Sequence, residues 1–118
     1  MNSDKWTKKE KTVARRAFDN AYKRECEEII NRIRELANNA NTPDGMWQLY
    51  DFLDEKRKEI YLKYDYRYSV LIVVLARLLK EGWITVEDLE GLKEDKIERI
   101  RYLGRALEQR TGNESFKI

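Results

Sequence analysis

The fold turns on the reading of Val70-Leu71-Ile72-Val73-Val74-Leu75-Ala76-Arg77-Leu78-Leu79-Lys80-Glu81-Gly82. Its first seven residues are uninterruptedly apolar and largely β-branched, as in a buried strand. The pattern nevertheless runs on into Arg77-Leu78-Leu79-Lys80-Glu81, and Gly82 stands where a helix C-cap belongs. A lone strand would also have no sheet to join. The chain holds only 5 Gly and 1 Pro, and strands in a sandwich or barrel need turn material roughly every 8–12 residues. The stretch therefore reads as a helix buried nearly all round, and the chain as all-α. Val70–Ala76 is the longest apolar run, far short of the about 20 residues of a membrane span.

Working outward, the residues on both sides keep helical spacing. Upstream, Phe18, Tyr22, Cys26, Ile29, Ile33, Leu36 and Ala40 step by 4, 4, 3, 4, 3 and 4, between a helix period and a coiled-coil seam. This predicts a first helix from about Asp4 to Asn39, roughly three times the mean globular length. Thr42 before Pro43 is a cap followed by proline at the first helical position. A second helix is predicted from there to about Tyr64, antiparallel to the first, with Met46, Leu49, Phe52, Leu53 and Ile60 on one face. Downstream, Thr85-Val86-Glu87-Asp88 opens a short fourth helix ending near Gly91. Ile97, Ile100, Leu103 and Leu107 mark a fifth, from about Lys93 to Gln109, with a frayed tail from Gly112 onward. The expected architecture is one domain over 1–118: a helical-hairpin stalk at about 4–64, a helical head at about 66–110, and a tail at 111–118. The stalk's apolar face is too long to be covered by its own chain, so a homodimer is expected. The seam residues are Ile30 and Ile33.

Composition excludes several chemistries. Charged residues make up 39% and hydrophobic ones 42%, too apolar for a disordered chain. With 0 His and 1 Cys, there is no Ser-His-Asp or Cys-His catalysis, no internal disulfide and no Cys/His zinc site. The carboxylates Asp51, Asp54, Glu55 and Glu59 lack the Glu-x-x-His partners of a dinuclear metal bundle and read as a solvated face. Cys26 falls on the apolar seam and reads as a small buried hydrophobe. No apolar leader follows Met1, so the chain is expected to be cytoplasmic. Residues 1–24 carry 8 basic and 3 acidic groups, against 6 and 9 over 25–64. The basic arm reads foremost as a solvated helix end, with no motif for nucleic acid.

Two stretches are distinctive: Trp47-Gln48-Leu49-Tyr50-Asp51-Phe52-Leu53-Asp54-Glu55-Lys56-Arg57-Lys58-Glu59-Ile60, and Lys63-Tyr64-Asp65-Tyr66-Arg67-Tyr68-Ser69 leading into the Val70–Gly82 helix. Together with Trp6, Ala17-Phe18, Ala21-Tyr22-Lys23-Arg24-Glu25 and Asp95-Lys96, they resemble the fluorescence recovery protein family of cyanobacteria, collinearly over roughly 6–104. The resemblance implies an all-α homodimer with an extended stalk and a compact head, without enzyme activity or cofactor. It implies a partner, the orange carotenoid protein, bound through that protein's C-terminal domain. The family member speeds the partner's return from the red active form to the orange resting form, ending phycobilisome quenching. The implied location is the cytoplasm, or the periphery of the cytoplasmic face of the thylakoid membrane.

Position by position, the resemblance puts Trp47, Asp51 and Arg57 in the family's patch at the dimer interface. Tyr50 stands where the family has a His, which exchanges a titratable ring for a phenol. In the head, Arg99 takes a position that can hold Lys and Val73 one that can hold Phe. Tyr50 and Val73 leave room for an alternative, a divergent dimeric scaffold with a different protein partner. Read from the residues alone, Trp47 and Asp51 share a face rotated away from Met46, Leu49 and Phe52. A Trp beside a carboxylate and an Arg has the composition of a binding hot spot. The plainer alternative is packing in the dimer seam, with Arg57 paired to Asp51 or Asp54. The tyrosines at 61, 64, 66 and 68 read as a plug between stalk and head.

Overall fold

The computed structural model describes residues 5–115, with side chains to Leu107. Four α-helices and one 3-10 helix follow in order: α1 Lys8–Asn38, α2 Pro43–Lys63, α3 Leu71–Glu81, η1 Val86–Leu89 and α4 Glu94–Ser115. The all-α expectation holds, since no strand lies among the described residues. Val70–Gly82 is a helix, and Gly82 closes it at φ +85° in the left-handed C-cap conformation.

Boundaries follow local chemistry. α1 begins at Lys8, not near Asp4, because Thr7 and Glu10 form a reciprocal capping box with bonds of 3.1 and 3.0 Å. Thr42 accepts from the Gly45 amide at 3.1 Å, and Pro43 opens α2 as expected. The expected fourth helix is a single 3-10 turn. The Thr85–Asp88 box nucleates it, and Gly91 at φ +111° turns the chain away before a second turn forms. A Cβ on Gly91 would lie 2.7 Å from Val13 Cγ2, so only glycine fits this approach to α1. α4 runs through Ser115, beyond the end near Gln109 expected of it and into the tail expected to fray from Gly112; 116–118 lie outside the described residues.

The core sits at one end of an elongated molecule. Leu71, Leu75, Leu78, Ile84, Leu89 and Ile100 are fully buried and cluster with Ala14, Ala17, Phe18 and Ala21 of α1. Each leucine or isoleucine removed from water there contributes about 1.5–3 kcal/mol. The amino-terminal half of α1, with Trp6, thus belongs to the head core, although the sequence pattern assigned it to the stalk. Helical spacing makes a core stripe and a stalk stripe look alike. α3 is not covered all round either: Val73 and Arg77 face solvent. On α2, Lys63 alone is buried, so the stalk proper, the carboxyl-terminal half of α1 with α2, has no sealed core in one chain.

Candidate functional site on the helical stalk

α2 carries Trp47 and Tyr50 outward, 58% and 59% exposed. Their rings meet edge to face, with centroids 6.3 Å apart, a favoured aromatic geometry that holds both rings on the surface. Asp51 follows Trp47 by one helical turn and is exposed. Arg57 lies ten residues beyond Trp47, about 15 Å along the axis. One chain therefore does not gather the four residues into a single cluster. Neither Asp51 nor Arg57 makes an ion pair among the described residues; Asp54 is taken by Lys58 at 3.1 Å. The plainer reading, Arg57 spent on an internal carboxylate, does not hold within one chain.

Arg57 instead borders an apolar groove of about 1070 Å³ between α1 and α2. Ile29, Ile30 and Ile33 line it from α1, and Leu53 and Ile60 from α2. Ile30 and Leu53 remain 46% and 47% exposed. Cys26 lines the head end of the groove and is half-buried, not sealed in a core.

The groove ends at a polar lock joining α1, α2 and α3. Lys63 Nζ donates to Glu25 at 2.7 Å and to Glu81 at 2.6 Å, with only 4% of its side chain exposed. Tyr64 Oη donates to Glu25 at 2.8 Å, and Trp83 Nε1 and Arg77 donate to Glu81 at 3.1 and 2.9 Å. Burial, then the bond to the Glu25 carboxylate, pushes the Tyr64 phenol up. For Glu81, burial pushes the carboxyl upward, but Lys63 and Arg77 outweigh it and hold it below its usual value. Tyr64 and Tyr66 both pack edge-on against Phe18, at 5.3 and 4.9 Å. The tyrosine plug is real for these two and extends to Tyr68, which packs on Tyr66 and Trp6 at 5.5 and 5.8 Å, while Tyr61 is 82% exposed and takes no part. A second lock holds the head: Glu10 accepts from Lys96 at 3.2 Å and from the Lys93 amide at 2.9 Å, with both side chains buried.

Val73 is 54% exposed on α3. Arg99 is exposed on α4, beside a shallow groove with Asp95, Glu98, Tyr102 and Leu103. Glu10, Glu25 and Lys63 escaped sequence reasoning, yet a signal existed. Glu10, Ala14, Ala17, Ala21 and Glu25 fall on one stripe of α1 at spacings of 4, 3, 4 and 4, so the two carboxylates were placed in the core face.

The profile of the family described as photoprotection regulator fluorescence recovery protein matches residues 6–104. The chain belongs to the fluorescence recovery protein family. It is 41% identical over 100 residues to the fluorescence recovery protein of Synechocystis sp. PCC 6803, covering 85% of this chain and 92% of that protein. Two solved structures superpose well. The Fremyella diplosiphon fluorescence recovery protein is 42% identical with a TM-score of 0.82, covering 86% of this chain and 99% of that one. The Synechocystis protein gives 40% identity, the same TM-score and the same coverage. The family is one of photoprotection regulators, and the face described above carries aromatic and charged side chains. No described helix is long and apolar enough to cross a membrane.

Proposed function

We propose that the protein works as a homodimer that binds an orange carotenoid protein through the partner's C-terminal domain. It would accelerate the return from the red active to the orange resting form and so end phycobilisome quenching. The observation that carries this reading, beside family membership, is the open apolar groove lined in part by Arg57, on the same helix that holds the exposed Trp47–Tyr50 pair. Two stalks laid together about a two-fold axis would cover Ile30, Ile33 and Leu53, as expected for seam residues. The same axis would bring each Arg57 toward the other chain and build a composite patch from Trp47, Tyr50, Asp51 and Arg57. Val73 and Arg99, exposed on the heads, would then contact the partner at a distance from that patch.

Such a helper accelerates closure only by binding the closing ensemble more tightly than the open ground state. It would need no bond-making chemistry and no cofactor, and would act in the cytoplasm or at the cytoplasmic face of the thylakoid membrane. Tyr50 favours a second reading, a dimeric scaffold serving a different protein partner, because a phenol replaces the family's imidazole at the centre of the patch. Dark recovery of photoactivated orange carotenoid protein, followed by absorbance with and without this protein, separates the two. Under the first reading recovery is faster with the protein present. Trp47→Ala then slows it strongly, because truncating a hot-spot anchor costs on the order of 2–4 kcal/mol of binding, while far-UV circular dichroism stays helical. No acceleration by the wild type or by Tyr50→His would favour the second reading.

A further inference from the structure

We infer that the outward face of the amino-terminal half of α1 is a second docking surface, for a carboxylate-rich segment of a protein partner. The inference is independent of the partner's identity. At 100° per residue, Lys8, Lys11, Arg15, Arg16 and Lys23 fall on one side of the helix, opposite the buried Val13, Ala14, Ala17 and Ala21. The row is about 22 Å long from Lys8 to Lys23. Its amino-terminal part forms an open groove of about 610 Å³ with Thr12, Asp19 and Asn20.

Two of the cations are held in place. The Arg15 guanidinium lies over the Tyr66 ring at 4.5 Å, and the Lys11 ammonium over Tyr68 at 5.2 Å. Less side-chain freedom is then lost when an anion docks. Arg15 is also paired with Asp19, at 3.2 Å. Lys8, Lys11, Arg16 and Lys23 make no ion pair among the described residues, so four positive charges stand uncompensated along one ridge.

The chemistry of the ridge selects among anions. A membrane-surface helix needs an exposed apolar face beside its cations, and here the apolar face of α1 is buried in the head core. Single-stranded nucleic acid needs free aromatic faces for its bases, and Tyr66 and Tyr68 are occupied by Arg15 and Lys11. On a second copy of this chain the stalk carboxylates Glu35, Glu59 and Asp54 are already neutralised by Arg32, Lys56 and Lys58, while Asp51 stays unpaired among the described residues, so self-docking is the competing outcome that sedimentation tests. A row of unpaired carboxylates on another protein fits four unpaired cations.

The test titrates full-length protein with a fluorescent 12-residue peptide of alternating Glu and Ser, read by anisotropy at 20 and 300 mM NaCl. Its Gln-for-Glu counterpart, phosphatidylglycerol vesicles and a single-stranded 12-mer DNA are run in parallel. We expect binding of the acidic peptide alone, weakened at high salt. Lys8→Gln/Lys11→Gln/Arg16→Gln should weaken it about tenfold, three exposed charge contacts being lost, with unchanged circular dichroism. The stalk variant Arg32→Gln/Lys56→Gln should bind as wild type. The inference is overturned if the triple variant binds like wild type, or if vesicles or DNA bind more tightly than the peptide. It also fails if sedimentation without peptide reveals a larger self-assembly that the triple variant abolishes, since the occupant would then be a second copy.

Discussion

Lys63→Met is the sharpest probe of how the stalk is fixed to the head. The substitution keeps an unbranched chain one atom shorter and removes the charge. Lys63 is the one cation shared by Glu25 and Glu81, at 2.7 and 2.6 Å. The two carboxylates do not suffer equally. Glu81 keeps Arg77 at 2.9 Å and Trp83 Nε1 at 3.1 Å, and its side chain is 23% exposed. Among the described residues, Glu25 keeps only the neutral Tyr64 hydroxyl, at 2.8 Å, and its side chain is 10% exposed. Breaking one side of a buried pair costs about 3–5 kcal/mol, and the surviving partners put the loss near the lower end. Urea unfolding at pH 7 should therefore give a variant about 3 kcal/mol less stable, compared at equal protomer concentration. Lys63→Met/Glu25→Gln should recover most of the loss, since an amide oxygen can still accept from Tyr64. A loss below about 1 kcal/mol on this scale, or a loss the double variant leaves in place, would refute the argument that the buried charge, not packing, holds the junction.

Ile30→Glu places a carboxylate in the proposed seam, and sedimentation should find a helical monomer; Cys26, at the head end of the same groove, should then react faster with a thiol dye. A variant that stays dimeric removes the groove from the interface. Glu10 is governed by burial, which pushes it upward, and by the Lys93 and Thr7 amides and Lys96, which prevail and hold it at about 2 instead of 4.5. Its stabilising contribution is therefore full above pH 4.5 and lost as pH falls toward about 2. In Glu10→Gln the acid limb of stability over that window should flatten, and an unchanged limb counts against the assignment. Gly91→Ala forces a side chain into the left-handed region and against Val13; about 1–3 kcal/mol should be lost, with little effect on oligomeric state. A neutral Gly91→Ala would mean that the turn relaxes freely.

The amino-acid sequence by itself determined the helices and most of their ends. Periodicity and caps are local: Thr42-Pro43 starts α2 and Gly82 stops α3 whatever surrounds them. It also carried the family, because identity is distributed over residues 6–104 and needs no contact map. What it left open was which neighbour each stripe meets. The residues of α1 repeat every three or four positions from Val13 to Leu36, yet the first half packs into the head core while the second stays open to solvent. Burial is decided by what lies opposite, and that is not written in the period. The charged locks were hidden for the same reason. Lys63 is 38 residues from Glu25 and Lys96 is 86 from Glu10, so no local pattern pairs them. A carboxylate on a core stripe signals that a partner is required; only the tertiary structure supplies the cation, because placing a charge in a low-dielectric interior is tolerable just where the fold delivers its counter-charge.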